Sequence, residues 1–326
     1  MQTTARQYDE GLISHRGRVR QLNEDSYGSF RSLPPASLTD ERIERLGRLY
    51  VLADGMGGHD SGDIASALAV QQICAEYYAT GGENVMAALR GAITRANAAI
   101  QAAAQARPSA TGRTMGTTIV CAVLRGATLT LAHVGDSRAY LLRDDDLRQL
   151  TEDHDWATDQ ARQHGWSRAD AEQHAQKRGK RGMLTRALGA QPAVEPDIAT
   201  HEWRVGDTLL LCSDGLHGLV PDAQIKRILA GLAAPSAARE LIEAANAAGG
   251  HDNITALVVH GQPTPIAAAA PWARRVPQLA VASIAALLLA FGLTLPVADG
   301  QPLLSANTVR SIAGLPTLAP TVGLLP

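Results

Sequence analysis

The chain has 326 residues, enough for one large domain with a sizeable core plus an appendage. Lys and Arg number 30 against 32 Asp and Glu, a formal net charge of -2, which argues against a basic nucleic-acid face and against an acidic disordered tail. Cys74, Cys121 and Cys212 each stand alone in an apolar run, with no CxxC pair and no Cys/His ligand spacing, so they read as buried small hydrophobes in a reducing compartment.

In chain order, residues 1–10 are polar and lack the apolar centre of a signal peptide, so no cleaved export signal is expected. The apolar run 49–53 predicts a short strand ending at Asp54, and the Ala-rich stretches 64–79 and 85–104 predict two long helices. The period then changes. Residues 117–124, 128–134 and 138–142 are short β-rich runs divided by turn residues, which predicts an antiparallel meander. Residues 156–176 are polar and helical, most simply a solvated helix pair, and 177–182 form a basic, Gly-containing loop. A further strand at 208–212 runs up to Asp214, helices follow at 222–232 and 236–248, and a last strand spans 254–260. Strand clusters alternating with paired helices suit a layered α+β sandwich, assigned to residues 1–260.

The composition shifts after His260. Residues 261–275 hold Pro263, Pro265 and Pro271 with an alanine run, as in a partly extended linker. Residues 276–295 carry no charge, follow Arg274 and Arg275, and at about 1.5 Å rise per residue would be long enough to cross a bilayer as one helix. The alternative is a buried helix of the soluble domain; the linker and the all-round apolar composition favour the membrane. The arginines set the orientation: a single-pass inner-membrane protein, its first 260 residues cytoplasmic and a short tail, 296–326, on the far side.

Acidic motifs punctuate the first 260 residues: Asn23-Glu24-Asp25, Asp54-Gly55-Met56-Gly57-Gly58, Gly135-Asp136-Ser137-Arg138, Ser213-Asp214-Gly215 and Asp252-Asn253. Each sets a carboxylate beside Gly, Ser or Asn, the composition of tight turns at strand ends. Carboxylates brought to about 4 Å repel by roughly 4 kcal/mol per pair at an effective dielectric of 20, so convergence implies cations between them. Oxygen ligands suit Mg²⁺ or Mn²⁺, and the ten histidines show no ligand pattern. Arg20, four residues before Glu24, is placed to clamp a phosphate. On its own, Asp136 could equally cap its turn or pair with Arg138.

The ordered series Arg20-Gln21-Leu22-Asn23-Glu24-Asp25-Ser26, Asp54-Gly55-Met56-Gly57-Gly58-His59, Gly116-Thr117-Thr118, Gly135-Asp136-Ser137-Arg138-Ala139-Tyr140, Leu184-Thr185-Arg186-Ala187-Leu188-Gly189, Ser213-Asp214-Gly215 and Asp252-Asn253 resembles the metal-dependent protein phosphatases of the 2C-like type, in particular their bacterial serine/threonine members. The likeness covers residues 8–260. It implies a four-layer αββα sandwich and a site holding two Mn²⁺ or Mg²⁺ ions. By that resemblance Asp54 bridges both ions, the Gly55 carbonyl binds one, Asp214 and Asp252 hold the other, and Glu24 and Asp25 complete the first site directly or through water. Asp136, with Asp214, matches the position of a third, weaker ion, and Arg20 holds substrate phosphate. Residues 155–182 correspond to the variable flap beside the active site.

One residue departs from the eukaryotic pattern. Met56 stands where many eukaryotic members carry a histidine proposed as general acid; bacterial relatives commonly share the methionine, and His59 reads as a solvated turn residue. The resemblance implies hydrolysis of phosphoserine and phosphothreonine on protein substrates, opposing a serine/threonine kinase or acting on a phosphorylated anti-sigma-type antagonist. The alternative is a phosphatase-like module that binds phosphoproteins without turnover; it predicts a missing metal aspartate or a missing Arg20, and none is missing.

Overall fold

The computed structural model describes residues 7–32, 39–56, 61–80, 84–107 and 115–262. These lie in one compact unit, Met1–Thr264; a second unit, Pro265–Pro326, contains the residues expected to form the membrane helix and tail and lies outside the described residues. Among the described residues no helix is long and apolar enough to cross a membrane. Gly57, Gly58 and His59 also fall outside them.

The elements run β1 (Gln7–His15), β2 (Asp25–Ser29), α1 (Asp40–Leu46), β3 (Arg48–Met56), α2 (Gly62–Ala79), α3 (Val85–Ala106), β4 (Gly116–Thr117), β5 (Ile119–Arg125), β6 (Thr128–Val134), β7 (Arg138–Arg143), β8 (Asp146–Gln149), α4 (Trp156–His164), α5 (Arg168–Lys177), β9 (Asp197–Glu202), β10 (Thr208–Cys212), α6 (Asp214–His217), α7 (Asp222–Gly231), α8 (Ala234–Ala247) and β11 (Ile254–Gln262). They form two antiparallel sheets. One has the order β1-β11-β10-β7-β8, the other β2-β3-β5-β6-β9 with β4 beside β3. Helices α2 and α3 pack together, with α2 against β2 and β3, while α7 and α8 cover the other sheet, giving the expected αββα layering.

Strand periodicity accounts for the layers. Along β10, Leu209 and Leu211 belong to the core between the sheets, whereas Leu210 and Cys212 belong to the core under α7 and α8. With both faces covered, β10 is buried throughout and reads as a continuous apolar run. In α3, Leu89, Ile93, Ala96 and Ile100 repeat at helical spacing and are all buried. All three cysteines are buried free thiols.

One pairing and two strand ends differ most from the sequence reading. The expected meander is broken: β6 pairs with β5 and β9, but β7 pairs with β8 and β10 in the opposite sheet. Each of the three strands is buried almost throughout, so periodicity could not reveal that Gly135–Ser137 crosses between sheets. Strand β3 continues past Ala53 to Met56, because Gly55 and Met56 pair with Thr117 and Gly116. Strand β11 runs to Gln262, where Gly261 and Gln262 pair with Tyr8 and Gln7, so residues expected to begin the linker belong to the sheet. Strands β1, β2, β8 and β9 and helices α1 and α6 were not anticipated; they are short, polar or edge elements with weak periodicity.

Candidate active site

The acidic motifs meet at one end of the sandwich. Asp25 opens β2 directly opposite Asp54 on β3. Cross-strand partners share a sheet face, with Cβ atoms roughly 5 Å apart. That face looks across to the other sheet, where Asp25 Oδ2 accepts from Ser213 Oγ (2.8 Å) and Thr255 Oγ1 (2.7 Å). Asp54 is held through its backbone: its N–H donates to Thr118 Oγ1 (3.1 Å), and its carbonyl accepts from the Thr118 N–H (2.9 Å) and Thr117 Oγ1 (2.8 Å). The Gly55 N–H donates to the Glu24 carbonyl (3.1 Å). A Cβ on Gly55 would stand 2.1 Å from the Gly62 carbonyl, and one on Gly62 would stand 2.5 Å from Glu24 Oε1. Gly55 is therefore required by the close approach of backbone, and Gly62 makes room for the Glu24 carboxylate.

Asp214 begins α6, and Asp252 precedes β11 with Oδ1 accepting from the Asn253 N–H (2.8 Å). Asn253 fastens the loop between β1 and β2 to this turn: its Nδ2 donates to the Arg16 (3.0 Å) and Leu22 (2.9 Å) carbonyls, and its Oδ1 accepts from the Glu24 N–H (2.8 Å). Within that loop, Arg20 Nη2 donates to Asp252 Oδ2 at 2.6 Å, and Nη1 lies 3.9 Å from Glu24 Oε2. Asp136 sits on the crossing turn between the sheets. Gly135 takes φ +105 there, and a Cβ would stand 2.7 Å from Thr118 Cβ. Asp136 does not pair with Arg138, whose guanidinium goes instead to Asp153 (Nε to Oδ1 2.9 Å, Nη2 to Oδ2 2.7 Å).

Arg20, Glu24, Asp54, Gly55, Asp136, Asp214 and Asp252 line one cavity of about 510 Å³, with Met56 and Thr118 among its other walls. Asp25 stands one layer behind. Burial, then repulsion from Asp25, Asp214, Asp136 and Asp252, pushes the Asp54 carboxyl well above the carboxylate range. Burial raises Asp214 as well, with Asp252 the next cause. Asp136 is pushed up to about 8 by burial and then by Asp214, Asp153 and Asp155. Burial pushes Asp25 up to about 7 despite its bonds from Thr255 and Ser213.

Comparison with known proteins agrees with this geometry. The family model for protein phosphatase 2C matches residues 37–248. The serine/threonine phosphatase stp of Listeria innocua is 38% identical over 249 residues, covering 75% of this chain and 92% of that protein. The serine/threonine protein phosphatase PstP of Mycobacterium tuberculosis is 36% identical over 266 residues, covering 79% of this chain and 47% of that protein. The crystal structure of the PstP catalytic domain with two manganese ions is 34% identical, with a TM-score of 0.64 over 78% of this chain and 99% of that one. The chain belongs to the protein phosphatase 2C family. It is a metal-dependent serine/threonine protein phosphatase.

The donor set of this phosphatase fits hard divalent cations, being carboxylates and a backbone carbonyl without cysteine or histidine. Asp25 Oδ1 is buried with no hydrogen-bond partner. Buried carboxylates that repel one another remain ionised together only when cations sit among them.

The cavity wall opposite the acids differs from the expected flap. Of residues 155–182 only Gly182 lines it, and the wall continues through Leu184, Thr185, Arg186 and Ala187 to Ala190 and Gln191. Helices α4 and α5 of the flap are pinned from below, with Arg168 Nη2 donating to Asp155 Oδ2 (2.7 Å) and Asp153 Oδ2 (3.1 Å). Sequence reading gave no role to Ser213, Thr255, Gly62, Asn253 or Arg186. Ser, Thr and Asn beside an acidic motif are the turn residues that also hydrogen-bond carboxylates, and only their partners distinguish the two uses.

Away from the acids, His133, His154 and Asp197 present ligand-type atoms within 4.8 Å of one another, although no histidine pattern was legible in sequence. His154 is not arranged as a ligand. Burial, then His133 and Arg186, lowers its pKa to about 4, so the ring is neutral at pH 7. Its Nδ1 accepts from the Gly135 N–H at 3.2 Å, which puts the ring proton on Nε2 and leaves no lone pair for an ion.

Proposed function

We propose that this phosphatase hydrolyses phosphoserine and phosphothreonine esters by direct attack of water, with no covalent intermediate, in the cavity between its two sheets. The observation that carries this reading is the convergence of Glu24, Asp54, Asp136, Asp214 and Asp252 on a cavity that Arg20 also lines. Asp54 would bridge two Mn²⁺ or Mg²⁺ ions, the Gly55 carbonyl and Glu24 serving one, with Asp25 behind, and Asp214 and Asp252 the other. Asp136 and Asp214 would hold a weaker third. When bound, such ions lower the pKa of water to give a nucleophile at neutral pH and offset charge on the phosphoryl oxygens.

The chain's own groups orient the reactants. Arg20 carries a planar fork suited to two phosphate oxygens, and its bond to Asp252 keeps that fork at the cavity wall. The Asp54 backbone bonds to Thr117 and Thr118 fix its carboxylate against the opposite sheet. Met56 lines the cavity and has no proton to give the leaving alkoxide. The phosphatase would act on phosphoprotein substrates, as its likeness to the serine/threonine phosphatases stp and PstP supports, and would oppose a bacterial serine/threonine kinase on them. It would be anchored in the inner membrane by 276–295 with the catalytic unit cytoplasmic, supported by the uncharged run and by Arg274 and Arg275 before it.

The test is substitution of the acids. Asp54→Asn and Asp214→Asn should each abolish Mn²⁺-dependent hydrolysis of an aryl phosphate and of a phosphothreonine peptide, while circular dichroism shows the fold intact. Wild-type turnover in either variant would overturn the assignment.

A further inference from the structure

One residue outside the acidic centre touches both sides of the cavity. His154, between β8 and α4, is 3% exposed. It grips Gly135 twice: its own N–H donates to the Gly135 carbonyl (2.9 Å), and its Nδ1 accepts from the Gly135 N–H (3.2 Å). The next residue is Asp136. On the other side, the His154 carbonyl accepts from the Thr185 N–H (2.9 Å), and the buried Nε2 makes no hydrogen bond but lies 3.2 Å from Asp197 Oδ2. The second oxygen of Asp197 accepts from Arg186 Nη1 at 2.7 Å. Thr185 and Arg186 both line the catalytic cavity across from the acids. His133 stacks on the opposite face of the His154 ring, with centroids 4.5 Å apart, and its own Nε2 is engaged with the Glu152 carbonyl at 2.9 Å. The His154 ring is thus held in one orientation and one tautomer.

We propose that His154 is a positioning residue that sets the Gly135–Asp136 turn and the Thr185–Arg186 wall relative to each other, through Nδ1 on the ion-holding side and, on the substrate side, through its carbonyl bond from Thr185 and the contact of Nε2 with Asp197. This rests on the reading of Asp136 as an ion ligand and of Arg186 as part of the substrate wall. The two ring nitrogens face different sides, so two substitutions separate them. His154→Asn keeps an acceptor near the place of Nδ1 and has nothing at Nε2. His154→Gln can place an N–H near Nε2 and has no acceptor at Nδ1.

The experiment measures Mn²⁺ binding to the full chain by titration calorimetry and KM for a phosphothreonine peptide, with thermal melting as the control for folding. His154→Asn, which removes the contact of Nε2 with Asp197, should raise KM about fivefold, a change of roughly 1 kcal/mol, with Mn²⁺ affinity close to wild type. His154→Gln should weaken Mn²⁺ binding about tenfold, as loss of an outer-shell partner does, with a smaller change in KM. Asp197→Ala, which leaves His154 in place, should reproduce the Asn pattern and covers the case in which a His154 variant does not fold. Equal shifts of both quantities in every variant, or no shift in any, would overturn the proposal. Asp54→Asn reports separately on the catalytic reading: loss of activity there beside silent His154 and Asp197 variants would reject only the role given to His154.

Discussion

Asn253 shows how a residue with no chemistry of its own governs the site. It is buried, and its three bonds tie the Arg20 loop and the start of β2 to the Asp252 turn. Asn253→Ala leaves the Glu24 N–H and two carbonyls without their partner. It should cost about 3 kcal/mol of stability and raise KM for phosphopeptide by loosening Arg20, measured by denaturant unfolding and steady-state kinetics. The carboxylates add a dependence on pH. Asp25 is raised to about 7 and Asp136 to about 8, chiefly by burial. Without cations the folded chain keeps protons that the unfolded chain has lost above about pH 4, so stability falls as pH rises from about 4 to about 8. Cation binding displaces those protons, and the gain in melting temperature on adding Mn²⁺ should be larger at pH 8 than at pH 6. A gain independent of pH would contradict this account of the acids.

At the scale of elements, the crossing from β6 to β7 does most to assemble the site. It carries Asp136 from one sheet to the other and sets it near Asp214, where a three-strand meander would have left it in a hairpin turn of a single sheet. Legibility followed burial and period. Strands β5, β6, β7 and β10 and helices α2, α3, α7 and α8 stand out because each presents a long apolar stripe or run. Strand β9 is mostly exposed and β8 half so; with little apolar patterning, neither could be read from the sequence. The acidic motifs were legible as turn-and-carboxylate pairs, and their order carried the likeness to phosphatases. Their supports were not: Ser213 and Thr255 reach Asp25 from 188 and 230 residues away, separations that no local pattern encodes. Arg138 illustrates the same limit, since it passes over the neighbouring Asp136 for Asp153.

At the scale of the molecule, the catalytic unit and the apolar C-terminal run make separate claims. Cutting after His260 would remove the pairing of Gly261 and Gln262 with β1, so the clean division comes after Gln262. In cell fractionation the full chain should sediment with membranes and a chain of residues 1–262 should stay soluble and active; if both stay soluble, the anchor reading fails. The central claim concerns the acids rather than the anchor. It is tested most directly by counting Mn²⁺ bound per full chain at equilibrium, in wild type and in Asp54→Asn. The account predicts at least two ions in the wild type and the loss of that pair in the variant, because Asp54 belongs to both. An Asp54→Asn chain that binds two ions with wild-type affinity would contradict it.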